Sequence, residues 1–410
     1  CQGCPCLRCG IGLNRLIGRK NCLRPAAVAG GYRFLGGRLL LPDALRRGLD
    51  AVRGLQEQLL DPQQKAKPAL TVIDKAAEAE ATAFLRSPDL LDKIAADMES
   101  LGWAGEPENR RLLYLVALSR LLPMPLSAAL RAPASSGKSH AVETIAMLTP
   151  PEDIIHISRA TAASFHLHPD LRHKLVLVDE ADALVPEVVV ALRVLQSRGA
   201  LSQSVVERDA MTGRASARVA EAKGPVAVLT TTTRQLDTEF VSRCYGLTTD
   251  TSEKQTALIL EMQRRLRADA GLSRKREQIV RRHHAVQRIL ARQRGSVVIP
   301  FADRIEFPAS TIQFRREQQK LLSLIEASAL LHSISRLKQK DGAGETILAD
   351  ERDFEIAVAL AAGLIARAGD ELSAHARDVL EVARASATAS FTLADIKATR
   401  PDWTRHRIYQ

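Results

Sequence analysis

Aromatic residues are scarce in this chain: Phe, Trp and Tyr make up 4% of its 410 residues. A protein that holds nucleic acid by stacking bases on aromatic platforms needs more of them, so stacking is not expected as the main binding mode. No apolar run approaches the roughly 20 residues that cross a bilayer, and no secretory signal is evident. Together with the nucleotide motif below, this points to the cytoplasm and away from membranes. Cysteine is also sparse: of six, Cys1, Cys4, Cys6 and Cys9 crowd the first nine residues, with Cys22 and Cys244 apart. Zinc ribbons place a dozen or more residues between their two cysteine pairs. Here Pro5 alone stands between the pairs, too little for two knuckles to face one tetrahedral ion. A metal site would need upstream residues, and this end is assigned no function. The chain starts at Cys1 rather than Met and stops at Tyr409-Gln410 inside a helical pattern, so a piece of a longer protein is expected.

Positive charge, in contrast, is abundant. The net charge is +11, and residues 264–294 alone carry eleven Arg/Lys against two acids, Asp269 and Glu277. A solvated helix face accounts for such a stretch, but so does an electrostatic footprint for a phosphate backbone.

The most informative segment is Arg131-Ala-Pro-Ala-Ser-Ser-Gly-Lys-Ser139. It lies between an apolar run, Pro125–Leu130, and a helical pattern, His140–Met147. In that context a loop of Ala134, Ser135, Ser136, Gly137, Lys138 and Ser139 wraps phosphates with backbone N–H groups. Lys138 would meet the β- and γ-phosphates and the Ser139 hydroxyl would ligate Mg²⁺. The usual first glycine is replaced by Ala132, so the loop entrance must turn without one. About forty residues later Leu175-Val-Leu-Val-Asp-Glu180 ends an apolar strand in two carboxylates. Asp179 would hold the metal and Glu180 would polarise the attacking water. ATP with Mg²⁺ is the expected cofactor.

Periodicity divides the chain further. Residues 1–65 show no consistent period and read as an upstream remnant and linker. Residues 66–122 are helical. Residues 123–250 alternate strands (Pro125–Leu130, Asp153–Ser158, Lys174–Val178, Pro225–Thr230, Tyr245–Thr248) with helices (His140–Met147, Ala160–Phe165, Pro186–Gln196). That alternation implies a parallel sheet whose ligand site lies at the strand C-termini. Residues 251–366 read as helical and basic, with 315–340 continuing as helix and 351–366 as a further one. Residues 367–410 suggest a truncated helix-turn-helix, with a recognition helix beginning at Thr404, after the Pro401-Asp-Trp turn, that carries Arg405 and Arg407 toward DNA.

Three features refine this outline. Leu201–Gly224 reads as a β-hairpin inserted before the fourth core strand, turning at Asp209-Ala-Met-Thr-Gly213, with Arg208 and Arg214 near its tip for DNA contact and Arg218 as a further candidate. The fourth strand ends in Thr230-Thr-Thr-Thr233, where Thr231 would sense the γ-phosphate, although strand-end threonines are commonly structural. Phe240-Val-Ser-Arg-Cys-Tyr245 places Arg243 one helix beyond, where it would supply charge to a neighbouring subunit's nucleotide; a surface salt bridge is the alternative.

In this order, the motifs resemble AAA+ ATPases of the pre-sensor-hairpin group, which includes the minichromosome-maintenance helicases. With Phe84-Leu-Arg-Ser-Pro-Asp-Leu-Leu, Leu229-Thr-Thr-Thr-Thr-Arg and Val298-Ile-Pro-Phe-Ala-Asp303 added, residues 80–410 look like the ATPase module of primase-helicases from bacterial mobile elements. The resemblance implies an α/β fold: a P-loop parallel sheet with a helical lid, an N-terminal helical region and a C-terminal winged helix. It also implies a lid arginine, at Arg315 or Arg316, and Arg316 is taken as the one reaching nucleotide. The function so implied is an ATP-dependent DNA motor, a ring-forming replicative helicase. An ATPase that remodels proteins at DNA, and a nucleotide-gated DNA-binding protein with little turnover, remain open.

Overall fold

The computed structural model describes residues 33–35, 38–40, 73–157, 165, 168, 170–197, 199–208, 215–234, 236–268, 272–293, 296–341, 344–368, 397–398 and 400. The chain divides into two compact units, Cys1–Thr71 and Val72–Gln410. In the first, β1 (Arg33–Leu35) pairs antiparallel with β2 (Arg38–Leu40). The cysteines of the N-terminal cluster and the expected helix-turn-helix, including Arg405 and Arg407, lie outside the described residues, as does most of Ala160–Phe165.

The second unit opens with three helices, α1 (Lys75–Leu85), α2 (Leu90–Ser100) and α3 (Pro107–Leu118). There follow β3 (Ala128–Arg131), α4 (Lys138–Leu148), β4 (Ile154–Ile157), β5 (Leu175–Val178) and α5 (Pro186–Ser197). A hairpin of β6 (Ala200–Arg208) and β7 (Ala215–Lys223) precedes β8 (Ala227–Thr232), α6 (Thr238–Val241) and β9 (Tyr245–Thr248). β3, β4, β5, β8 and β9 form one sheet in the order β4-β5-β8-β3-β9, and every neighbouring pair is parallel.

Alternation of side chains explains why these short runs become a two-sided sheet. Ala128, Leu130, Leu175, Leu177, Ala227, Leu229, Tyr245 and Leu247 join one core with α3 and α4. Their in-between neighbours Ala129, Val176, Val178 and Val228 join a second core with Val188, Leu192 and Leu195 of α5. The three central strands β5, β8 and β3 are buried on both faces, while the edge strands β4 and β9 keep exposed positions.

Beyond the sheet come α7 (Glu253–Ala268), α8 (Leu272–Arg292), β10 (Val297–Val298), α9 (Phe314–Leu331), β11 (Lys338–Asp341), β12 (Gly344–Leu348) and α10 (Glu351–Ala368). Two expectations need correction here. The helix expected over 315–340 ends at Leu331, and β11 joins β12 and β10 in a separate three-stranded sheet. Part of the basic stretch is ion-paired to acids of the same chain rather than left free. Arg282 donates to Asp97 Oδ2 at 2.6 Å and lies 4.4 Å above the Phe84 ring. Arg288 Nε meets Glu152 Oε1 at 2.7 Å, and Arg292 meets Glu78 Oε1 at 2.6 Å. Fully buried His283 joins this cluster, its Nε2 3.0 Å from Asp97 Oδ2 and its Nδ1 3.0 Å from the Tyr114 hydroxyl. Burial pushes the pKa of His283 down, and its bond to Asp97 opposes that shift. These bonds fasten α8 to the N-terminal helices.

Candidate phosphate site

β3, β8 and β5 are adjacent, and their C-terminal ends carry the loop, the threonine run and the acidic pair in that order. The register aligns Leu130 with Thr231 and Val178 with Thr230, so the three ends lie level. With one strand between them, the phosphate loop and Asp179 are separated by two strand spacings, roughly 10 Å. A polyphosphate with its metal fills a gap of that size. Glu180 and Lys138 therefore belong to the same edge of the sheet.

The loop's backbone accounts for Ala132. That residue is buried, keeps an ordinary backbone conformation and donates its N–H to Thr232 O at 3.3 Å, extending the ladder. The left-handed positions fall later, at Ser135 (φ 63°) and Gly137 (φ 89°), which caps α4. A glycine is needed at 137, where φ is positive, and not at 132. Lys138 is buried, and its ammonium donates to Ala132 O and Pro133 O, each at 2.6 Å. The Ser136 hydroxyl oxygen is buried with no hydrogen-bond partner. Ala134 and Ser135 are exposed on the loop, and Ser139 is exposed in the first turn of α4.

This donor set is of the kind that binds phosphate: a helix N-terminus, an ammonium and an orphaned hydroxyl lie within residues 136–138. Among the described residues no group of three or more His, Cys, Asp or Glu is arranged to hold a metal ion. Mg²⁺ bound with a nucleotide does not need one, because phosphate oxygens and waters complete its shell around one or two protein ligands. Ser139, the expected hydroxyl ligand, is exposed in the first turn of α4, and Asp179 is half-buried just past the end of β5.

The threonine run is a fastening. Thr230 Oγ1 donates to Val178 O at 3.0 Å, and Thr231 Oγ1 donates to Asp179 O. Thr232 Oγ1 bonds Asp182, while Thr233 donates its N–H and its hydroxyl to Asp182 Oδ2 at 2.8 and 2.9 Å. The hydroxyl of Thr231, expected to meet the γ-phosphate, is thus engaged with backbone. Two participants were missed by sequence reasoning. Asp182, in Asp179-Glu-Ala-Asp182, ties the acidic loop to β8, and those bonds, working against burial, hold its pKa below the usual carboxylate value. His156, at the exit of β4, sets Nε2 2.6 Å from Asp179 Oδ1. Only the spacing Asp-Glu-x-Asp hinted at the first, and nothing marked the second.

Arg243 and Arg316 sit elsewhere. Tyr245 pairs with Ala128, so Arg243 lies near the level of Leu126, at the sheet's N-terminal edge. About six residues of strand, roughly 20 Å, separate that level from Ala132. An arginine side chain cannot cross that distance to its own loop. Arg243 Nε donates to Ser197 Oγ at 2.8 Å and Nη1 to Glu239 O at 2.5 Å. Arg316, expected to reach nucleotide, bonds Ser242 Oγ, and Lys320 donates to Cys244 O at 3.0 Å. This placement has a topological cause: α9 crosses the sheet at the edge opposite the phosphate loop. Partial burial, then the nearby Arg316 and Arg193, hold the pKa of Arg243 below its ordinary value. Among the described residues neither Arg243 nor Arg316 is paired with a carboxylate.

The inserted hairpin is formed as expected, with nine antiparallel pairs from Ala200↔Lys223 to Arg208↔Ala215. Nine residues per strand make it about 30 Å long. Arg208 ends its first strand and Arg218 lies opposite Val205, while Arg214 and the turn lie outside the described residues. Among the described residues no helix is long and apolar enough to cross a membrane. No protein-family model and no curated protein matches the chain.

Proposed function

We propose that this protein is an ATP-dependent DNA motor, a ring-forming helicase of the AAA+ kind. The observation that carries this reading is the single edge on which three adjacent strand ends present the Lys138 loop, the threonine run and Asp179-Glu180. Lys138, the N–H groups of 135–139 and Ser136 bind and orient the triphosphate. Ser139 and Asp179 hold Mg²⁺, which neutralises charge between the phosphates. Glu180, exposed at the strand exit, accepts a proton from the attacking water. Arg243 and Arg316 serve the nucleotide of a neighbouring subunit. The hairpin of 200–223 carries backbone-phosphate contacts at its far end, so binding is nearly sequence-blind and salt-sensitive.

A second reading, a nucleotide-gated DNA-binding protein with little turnover, is favoured by one observation: His156 occupies Asp179 Oδ1. The experiment that separates them measures ATP hydrolysis with DNA present, and strand displacement on a forked duplex, for the parent and Glu180→Gln. A motor hydrolyses ATP and unwinds, while Glu180→Gln stops hydrolysis and keeps ATP-dependent DNA binding. A parent without turnover on DNA removes the motor. ATPase activity without unwinding leaves an ATPase that remodels other proteins.

A further inference from the structure

The surplus charge of residues 264–294 separates into two populations. Arg282, Arg288 and Arg292 are ion-paired to acids of neighbouring elements. Arg274, Lys275 and Arg281 are exposed, and among the described residues none of them faces a carboxylate within ion-pair distance. Arg274, Arg281 and Arg288 are seven residues apart, so they form one line along α8. From Arg274 to Arg288 the helix rises about 21 Å. Beside this line runs a groove of about 470 Å³ next to Met147 and Val280, into which Arg276, Arg281 and Arg288 open. Part of the groove serves the fold: His284 Nε2 bonds Met147 O at 2.9 Å at the end of α4. Glu277 is the one acid on its lining.

We propose that this face of α8 is a second contact for a nucleic-acid phosphate backbone, separate from the hairpin. The chemistry of the surface selects the partner. Its free groups are long cations with no aromatic or large apolar anchor among them, unlike the core of a protein–protein interface. A basic helix that lies on a membrane needs a free apolar face, and the apolar residues of α8 (Ile279, Val286, Ile289 and Leu290) are buried in the core. What remains is a pair of point charges, Arg274 and Arg281, about 10 Å apart along a rigid rod, a spacing of about three nucleotides of one duplex strand.

The test uses the full chain with a labelled single strand and a labelled duplex of mixed sequence, titrated across a salt series. Arg274→Gln with Arg281→Gln removes two contacts. The slope of log affinity against log salt is then expected to shrink by about 1.4 on single strand or about 1.8 on duplex, which also identifies the form bound. At 0.1 M salt the same slopes weaken binding roughly 20- to 60-fold. Glu277→Gln is expected to tighten binding, a gain that loss of folding cannot mimic. ATP hydrolysis without DNA should stay unchanged in both variants. An unchanged slope in the double variant, or loss of binding to vesicles rich in anionic lipid with DNA binding intact, overturns the proposal. The motor reading fails separately: a parent that never hydrolyses ATP, yet loses affinity through Arg274 and Arg281, sinks the motor and keeps this surface.

Discussion

Lys138 closes its own loop, with two of its three ammonium protons donated to the carbonyls of Ala132 and Pro133. Phosphate oxygens offer the same group stronger, charge-assisted partners, so binding exchanges internal bonds for external ones rather than adding to them. Elsewhere single side chains carry uncompensated burial. Glu326, on the part-buried flank of α9, has its carboxyl pushed up to about 7 by burial alone. Its folded value lies above its unfolded one, so the stability it contributes is complete below about pH 4.5 and is lost as pH rises through about 7. Glu326→Gln is expected to leave the melting temperature unchanged near pH 4 and to raise stability at pH 8 by about 1–2 kcal/mol, discounted for its residual water contact. Thermal melts of both proteins across that range check the sign, and equal melting temperatures at pH 8 would refute it.

At the scale of elements, the acidic loop and β8 behave as one piece because Asp182 holds Thr232 and Thr233 while Thr231 holds Asp179 O. Removing Asp182 frees the turn that sets Glu180 against the phosphate loop. Asp182→Ala is expected to lower kcat by roughly 10- to 100-fold, the scale of a displacement near 1 Å, with little change in the nucleotide KM. Asp182→Asn, which keeps an acceptor oxygen, should recover part of the loss. Equal losses in kcat and binding affinity would mean that the loop had unfolded instead. Much of this element plan was legible beforehand. Apolar runs such as Leu175-Val-Leu-Val had to be sheet-central, and Gly213 between polar β-like stretches marked the hairpin. What was illegible has physical reasons. Lys338-Gln-Lys-Asp341 carries no apolar alternation, because β11 lies at the edge of its small sheet, paired only with β12. Four consecutive threonines are equivalent until a register assigns each its neighbour. His156 became relevant only when β4 paired beside β5, a choice of strand order that local pattern does not contain.

For the whole molecule, the parallel sheet puts the two groups of residues that the proposed reaction needs at opposite edges. Lys138 and Glu180 stand at the C-terminal edge, and Arg243 with Arg316 at the N-terminal edge, roughly 20 Å apart by strand rise. Sequence order could name these residues but not the edge that α9 crosses. If the arginines act, they act on another copy. That makes activity a property of contacts between copies, with a distinctive consequence. Lys138→Ala spoils the nucleotide face of a subunit, and Arg243→Ala spoils its arginine face. Each homogeneous variant is expected to lose ATPase activity by roughly 1,000-fold or more, the range set by removing a transition-state arginine. An equal mixture forms some interfaces that join an intact Lys138 loop to an intact Arg243, at most about one in four by random assembly. Activity should therefore return toward a quarter of the parent value on mixing, and should fall back when dilution separates the subunits. A mixture as inactive as its two components, under conditions where sedimentation shows exchange between them, would place Arg243 outside the reaction.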